Sequence, residues 1–193
     1  MNKKWQVAVG LFLCCAVATL LVQSAESEKD KKKKGETYTA TAMVTSGAAG
    51  GSMVSLTIYI NSYTSDEEVL QLAQTLKDKG PDALAKALDK TERGRLAPVG
   101  RVGNDINVSR TFQTEKGRVI RLLMNRPIGF VELRRSGRST DYEFSLIELL
   151  VDEKGKGEGV ALAAAKIKFN KENQLEVENY GQSPVRITNV QRF

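Results

Sequence analysis

Residues 65–90, SDEEVLQLAQTLKDKGPDALAKALDK, form the one strongly helical stretch of this sequence. Ser65 and Glu68 have the spacing of a capping box at the start of a helix. Gly80 is a residue type that ends helices and Pro81 one that begins them, so the stretch predicts two helices in succession. Because the following sequence predicts strands and turns, the fold must place this helix pair within a mostly β chain.

Both predicted helices are amphipathic. Apolar residues recur at helical spacing along one face of the pair, at Val69, Leu72, Leu76, Leu84 and Leu88. The second helix is too short to be stable by itself in water. We therefore expect this face to pack on an apolar surface, either as a lid over a binding cavity or as a cover on an open sheet.

Strands are expected where apolar residues alternate with polar ones. In MVSLTIYI, residues 53–60, the side chains of Leu56, Ile58 and Ile60 share one face, as in a half-buried strand. Residues 94–104, GRLAPVGRVGN, are interrupted by Gly and Pro and predict a loop or an edge. Short apolar runs separated by turn residues are typical of a sandwich or barrel. We predict a mostly β, α+β fold: an antiparallel curved sheet or barrel of about eight strands with the helix pair inserted.

The first 25 residues predict a signal peptide. Lys3 and Lys4 precede the apolar run of residues 7–22, and small side chains follow it. This run is shorter than the ~20 residues that span a bilayer, so cleavage is favoured over an uncleaved membrane anchor. Residues 26–36, ESEKDKKKKGE, predict a charged flexible linker, and residues 37–193 a single β-rich domain that contains the helical hairpin. We expect export to a periplasmic or extracellular location.

Half of the net charge of +6 is carried by the first 36 residues of the chain. Removing residues 1–25 takes away two lysines and leaves +4, and residues 26–36 hold five lysines and four acids, which leaves +3 for residues 37–193. This near balance argues against a nucleic-acid-binding protein. The run Lys31–Lys34 could contact anionic lipid or polymer, although such runs are more often solvated tethers.

Several kinds of chemistry are excluded by residue types that the chain lacks. There is no His, and both cysteines, Cys14 and Cys15, lie within the predicted signal peptide. A Ser-His-Asp triad and a Cys-His pair are therefore impossible, and sites for zinc, haem or iron–sulfur clusters are not expected. The Gly-rich residues 155–159, GKGEG, lie between two predicted strands and predict a hairpin turn rather than a phosphate-binding loop. We predict no catalytic residue, metal or cofactor.

Glu148 is a candidate acid because it interrupts the apolar run FSLIELL. If it were buried, its pKa would be raised and it could donate a proton. The alternatives are an outward-facing residue on a half-exposed strand or a partner for an arginine.

Arg134, Arg135 and Arg138 form a candidate anion site. Three guanidinium groups on one turn could hold a carboxylate or a phosphate. The alternative is a solvated turn in which an arginine pairs with Asp141.

Two functions are compatible with this sequence. In the first, an exported, non-catalytic protein binds an apolar or lipid-like small molecule in a barrel or curved-sheet cavity, and the helix pair closes one mouth. The order of strands, helix hairpin and further strands resembles the general plan of small lipid-binding barrels, by architecture alone. In the second, an exported structural or interaction module binds an envelope or secreted protein through a surface patch. Neither involves nucleic acid or a membrane span after cleavage.

Overall fold

The computed structural model describes residues 35–44, 51–128, 142–179 and 184–193. These residues form two helices, α1 (Asp66–Lys79) and α2 (Pro81–Leu88), and one antiparallel ten-stranded sheet. The strands in chain order are β1 (Glu36–Val44), β2 (Ser52–Ile60), β3 (Gly94–Pro98), β4 (Asn104–Ile106), β5 (Val108–Thr114), β6 (Gly117–Met124), β7 (Phe144–Val151), β8 (Lys156–Phe169), β9 (Leu175–Asn179) and β10 (Val185–Arg192).

The sheet curves into a nearly closed barrel. Its strand order is β4-β3-β2-β1-β10-β8-β7-β6-β5, so β4 and β5 are the two ends of the sheet. These two strands are also consecutive in the chain, separated only by Asn107, whose backbone N–H donates to the Leu123 carbonyl of β6 at 2.9 Å. One continuous stretch thus pairs first with β3 and then with β6, which brings the two ends of the sheet together. The predicted curved or barrel-like sheet is confirmed.

The long strand β8 lies at a sharply curved part of the sheet. Its first part pairs with β7 and β10, and its last part pairs with β9. A Cβ atom at Gly157 would lie 1.9 Å from the Leu150 carbonyl oxygen, so only glycine permits this approach of β7 to β8. The turn predicted at residues 155–159 was therefore wrong from Lys156 onward, because these glycines belong to a strand.

The prediction for residues 94–104 was wrong in part. Residues 94–98 form β3, which lies between β2 and β4 and is not an edge. Leu96 is fully buried, while Gly94 and Pro98 stand at the two ends of the strand. A strand of five residues can place its chain-breaking residues at its limits, and the sequence pattern does not distinguish this from a loop.

Inward-facing side chains fill the barrel with one continuous apolar core. They come from all strands except β5 and β9, as period-two alternation requires. Solvent reaches at most 1% of the surface of the largest of them, which include Tyr38, Leu56, Ile58, Ile60, Leu96, Ile106, Ile120, Leu122 and Met124. A void the size of a water molecule beside these residues would expose them, so side chains occupy this interior, as they do in other barrels of about eight strands.

The helix pair packs on the outer face of the barrel. Leu76, Leu84 and Leu88 are buried in a second apolar cluster, Leu72 packs against it, and Val69 is half-buried. The sheet residues in this cluster include Val108, Leu123, Phe144, Leu146, Ile167 and Phe169. Leu123 alternates along β6 with the inward Leu122 and Met124, so the cluster is separate from the interior.

The ends of both helices agree with the prediction. The Glu68 backbone N–H donates to Ser65 Oγ at 3.2 Å, and the Ser65 N–H donates to Glu68 Oε2 at 3.0 Å, which completes the capping box. Gly80 separates the helices with φ of 82°, a left-handed value that glycine adopts without strain. Its N–H donates to the Leu76 carbonyl and Pro81 then begins α2.

Candidate functional site

The sequence predicted two polar sites, an arginine-rich anion site and a buried acid at Glu148, and the structure describes only the second. Arg134, Arg135 and Arg138 lie outside the described residues, so the anion site stays a prediction. Glu148 is on the outer face of β7, where its side chain is 30% exposed and accepts a hydrogen bond from Arg121 Nε at 2.7 Å. It is therefore not the fully buried acid that the proton-donor hypothesis requires, and the alternative of an arginine partner describes it.

A largely buried carboxylate instead lies inside one end of the barrel, at Glu36. The bidentate guanidinium of Arg118 donates to both of its oxygens, at 3.0 and 2.8 Å. The hydroxyls of Tyr38 and Tyr63 each donate to Oε2 at 2.8 Å, and Arg192 lies 3.3 Å from Oε1. Only 11% of the Glu36 side chain is exposed. We call these five residues the Glu36 network.

The Glu36 network spans the barrel. Glu36 and Tyr38 pair with Ile60 and Ile58, so they face inward from β1, and Arg118 faces inward with Ile120 from β6. Three strands separate β1 from β6 on the β10 side of the sheet. The guanidinium therefore crosses the interior to reach the carboxylate, and the network closes this end of the apolar core with a saturated set of polar contacts.

The electrostatics of the network exclude proton donation by Glu36 near neutral pH. Burial alone would raise its pKa, but hydrogen bonds from Arg118, Tyr38 and Tyr63 outweigh burial and lower the pKa to about 2. Burial and donation to the Glu36 carboxylate raise the pKa of both tyrosines above the ordinary range. At neutral pH this carboxylate is ionised and accepts four hydrogen bonds from Arg118, Tyr38 and Tyr63, so we assign the network a structural role.

A polar cleft of about 290 Å³ lies beside the end of α2. Its walls include three asparagines whose amides bond within the protein: Asn104 to the Pro127 carbonyl, Asn107 to the Leu88 and Thr91 carbonyls, and Asn125 to Asp89. Asn107 is only 6% exposed, although Asn-Val-Ser has the form of a glycosylation triplet. The bonds of Asn107 hold the β4–β5 strand against the end of α2, and charged residues such as Lys90, Glu92 and Arg126 also line the cleft.

The outer face of β10, β1, β2 and β3 has no covering element in the described part of the chain. We call it the bare face. No charged side chain points outward from β1 or β2. Outward positions there carry small hydroxyl side chains, a tyrosine and two methionines: Thr37, Thr39, Thr41, Met43, Met53, Ser55, Thr57 and Tyr59. Met53 is 72% and Tyr59 is 44% exposed.

Arginines stand at opposite corners of the bare face. Arg186 on β10 is the residue paired with Met43, and Arg95 on β3 is paired with Tyr59. Both side chains are exposed, and Arg101 lies nearby in the turn that joins β3 to β4. No acidic residue points outward from β10, β1, β2 or β3, so the centre of the face is neutral, while at its edge Arg95 lies opposite the exposed Asp105 of β4.

This combination differs from an ordinary solvated sheet surface. Protein interfaces are depleted in Lys, Glu and Asp and enriched in Tyr, Met and Arg. The four strands carry outward Tyr, Met and Arg and lack outward Lys, Glu and Asp, although they also carry Ser55 and Ala97, residue types that are depleted at interfaces. The bare face is therefore the candidate interaction surface of the molecule.

Comparison with known proteins gives no further guidance, since no protein-family model matches the chain and no curated protein or solved structure is similar to it. Within the described residues, no three carboxylates come together in a way that could hold a metal ion. Neither α1 nor α2 is long and apolar enough to cross a bilayer.

Sequence reasoning missed the Glu36 network, because the charged linker was extended through residue 36. Glu36 is instead the first residue of β1. A signal was present in the period-two pattern: Glu36 is in phase with the inward Tyr38, and Arg118 with the inward Ile120 and Leu122. Two opposite charges in phase with apolar positions predict an internal ion pair once the strands are known to enclose a core.

Proposed function

We propose that this chain is an exported, non-catalytic interaction module that binds another protein of the envelope or the extracellular space through its bare face. Export rests on the signal-peptide pattern of residues 1–25. The observation that carries the proposal is the contrast between a barrel interior occupied by side chains and an exterior that has one uncovered face of interface-like composition.

The filled interior weighs against the alternative of an enclosed apolar ligand. Cavities for drug-sized molecules need about 300–1,000 Å³ and a mostly apolar lining. The described interior residues are sealed by one another and by the Glu36 network, while the cleft beside α2 is polar. The helix pair lies on the outer face over a separate cluster, which supports a role as a cover rather than as a lid.

The bare face supports the interaction role because its central strands lack outward charges and carry the exposed Met53 and Tyr59, with no described element covering them. A solvent-facing antiparallel sheet gains solubility from charged side chains, and exposed edges and faces commonly carry lysine. Here the central strands carry hydroxyls, Tyr59 and Met53 instead. A partner that covers these side chains would account for the missing charges.

Site-specific photocrosslinking in the producing cells tests this function. A benzophenone amino acid would replace Tyr59, whose aromatic ring it resembles, and in a second variant Ser55, which is exposed on the same strand. The matched control carries the same group at Gln74, an exposed position on α1. We expect one discrete adduct that is shared by the two bare-face positions and absent from the control. Equal adducts at all three positions, or none, would contradict an interaction through this face.

A further inference from the structure

We infer that the partner presents an acidic protein surface to the bare face, and that Arg95 and Arg186 recognise its carboxylates. This inference rests on the proposed function and names the chemistry of the partner. Four observations support it: the selective lack of ion pairs at these arginines, the absence of outward acids from the four strands, the choice of arginine over lysine, and the size of the face.

The arginines of this protein fall into two groups. Five of the nine described arginines form ion pairs, with partners at 4.0 Å or closer: Arg93, Arg110, Arg118, Arg121 and Arg192. The other four form none with any described residue, and two of them, Arg95 and Arg186, point outward from the bare face. Both outward guanidinium groups of the bare face therefore lack a described acidic partner.

The position of Asp105 strengthens this contrast. It is the β4 residue directly opposite Arg95, yet the two side chains form no ion pair in the described structure. On the covered side of the barrel, Arg121 and Glu148 also lie directly opposite one another, on β6 and β7, and they do pair. The carboxylate of Asp105 is on the adjacent strand, but the guanidinium of Arg95 does not pair with it. This guanidinium is therefore available to a carboxylate of another molecule.

The residue types on the bare face distinguish between the possible classes of partner. Arginine donates two parallel hydrogen bonds to a carboxylate, and the surrounding hydroxyls of Thr and Ser can donate or accept in turn. A carbohydrate partner would favour several exposed aromatic rings, and the four strands present one, Tyr59. An anionic lipid surface is typically bound by a cluster of four or more Lys or Arg side chains, and the four strands present only two outward, Arg95 and Arg186. An acidic protein surface fits best.

The area of the bare face indicates which size class of interface it can form. Four strands ~4.8 Å apart and about seven residues at ~3.3 Å each give roughly 20 by 25 Å, on the order of 500 Å². This is below the ~800 Å² per partner of a standard stable interface. We therefore expect a transient complex whose association is accelerated by charge and weakened by salt.

Charge reversal in the crosslinking assay tests the inference. Arg95→Glu and Arg186→Glu would be combined in the chain that carries the photocrosslinker at Ser55. The matched control combines Lys86→Glu with Arg126→Glu, which changes the net charge equally at exposed positions away from the face. We expect the adduct to fall about tenfold in the bare-face variant and to remain in the control, with an adduct protein of acidic sequence.

The outcomes of this experiment distinguish a failure of the acidic-partner inference from a failure of the proposed interaction function. If no Ser55 adduct forms in the parent chain, the proposed function fails. If a protein adduct forms and survives both arginine reversals, the function stands and the acidic partner is wrong. An adduct with a glycan or a lipid in place of a protein would also overturn the inference. Circular dichroism of each variant verifies that the barrel has folded.

Discussion

The barrel has two outer faces that differ in how they meet their surroundings. On β5 to β8, the outward side chains include Val108, Leu123 and Phe144, which are packed under the helix pair. Above them, Arg110 and Arg121 approach the Phe112 ring at 5.5 and 5.1 Å, and each also pairs with an acid. On β10, β1, β2 and β3, the outward side chains are small hydroxyls, methionines and unpaired arginines, and no described element covers them.

One outer face of the barrel is thus covered by the chain's own helices, and the other is not covered by any described element. The covered face meets its apolar and hydrogen-bonding requirements within the chain, so its residues should control stability. The outward side chains of the bare face lie under no described element, so its residues should control association and contribute little to stability. Substitutions on each face, and in the interior behind both, can separate these roles.

The largest effect is expected from the interior. Arg118→Met leaves the Glu36 carboxylate buried without its guanidinium, and we expect a loss of ~3–5 kcal/mol in the free energy of unfolding. The matched control is Arg121→Met on the same strand, which faces outward and pairs with the part-exposed Glu148. That change should cost less than ~1 kcal/mol. Urea unfolding would measure both, and equal losses would contradict the role given to the network.

Acid should weaken the same network. The Glu36 pKa is near 2 in the folded chain against 4.5 ordinarily, so its ionised form stabilises the fold above pH 4.5 and this contribution is lost as the pH falls toward 2. A shift of this size corresponds to about 3 kcal/mol. Unfolding free energies between pH 5 and 2.5 should therefore fall more steeply in the parent chain than in Glu36→Gln, which has no carboxylate to protonate. Parallel slopes would refute the assignment.

The covered face should respond next. Leu88→Ala empties a fully buried site under α2, and we expect a loss of ~2–3 kcal/mol, in the lower part of the range for core leucines because an outer helix can settle into the gap. Leu70→Ala on α1 removes the same side chain from a position that is 69% exposed and should change stability by less than ~0.5 kcal/mol. Thermal unfolding followed by circular dichroism distinguishes the two. A silent Leu88→Ala would mean that the helices contribute nothing to the fold.

The smallest effect on stability is expected from the bare face. Thr57→Val keeps the branched shape that suits a strand and removes only the outward hydroxyl, so the free energy of unfolding should change by less than ~0.5 kcal/mol. The benzophenone adduct at Ser55 should nevertheless decrease, because the valine cannot hydrogen-bond to a partner. A destabilisation above 1 kcal/mol would show that this face has a structural role and would remove the contrast between the two faces.

The local features of the fold follow well from the sequence, and the long-range ones do not. The capping box at Ser65, the break at Gly80 and the alternation of Leu56, Ile58 and Ile60 depend on neighbouring residues, and the structure has all of them. Closure of the sheet depends on a change of partner at Asn107, which leaves no mark on the alternation beyond one extra residue. The strand β3 was missed for a related reason, because pairing on both sides compensates for Gly94 and Pro98.

The candidate surface was still harder to predict. Thr37, Thr39 and Thr41 suggested only a strand, because sequence does not show which neighbours lie across from them or whether another element covers them. Once β10, β1, β2 and β3 are side by side, the same threonines become part of a continuous surface whose two central strands carry no outward charge. Whether an arginine is paired, as with Arg121, or unpaired, as with Arg186, likewise depends on register.

Native mass spectrometry most directly tests the central claim, that this protein acts through its exterior and not through an enclosed ligand. The protein would be purified from its own cells without detergent, weighed under native conditions, and weighed again after denaturation. Our account predicts a folded mass equal to that of the polypeptide alone, or of the polypeptide with a protein partner. A discrete small-molecule mass, released on denaturation and soluble in organic solvent, would contradict it and would restore the apolar-ligand hypothesis.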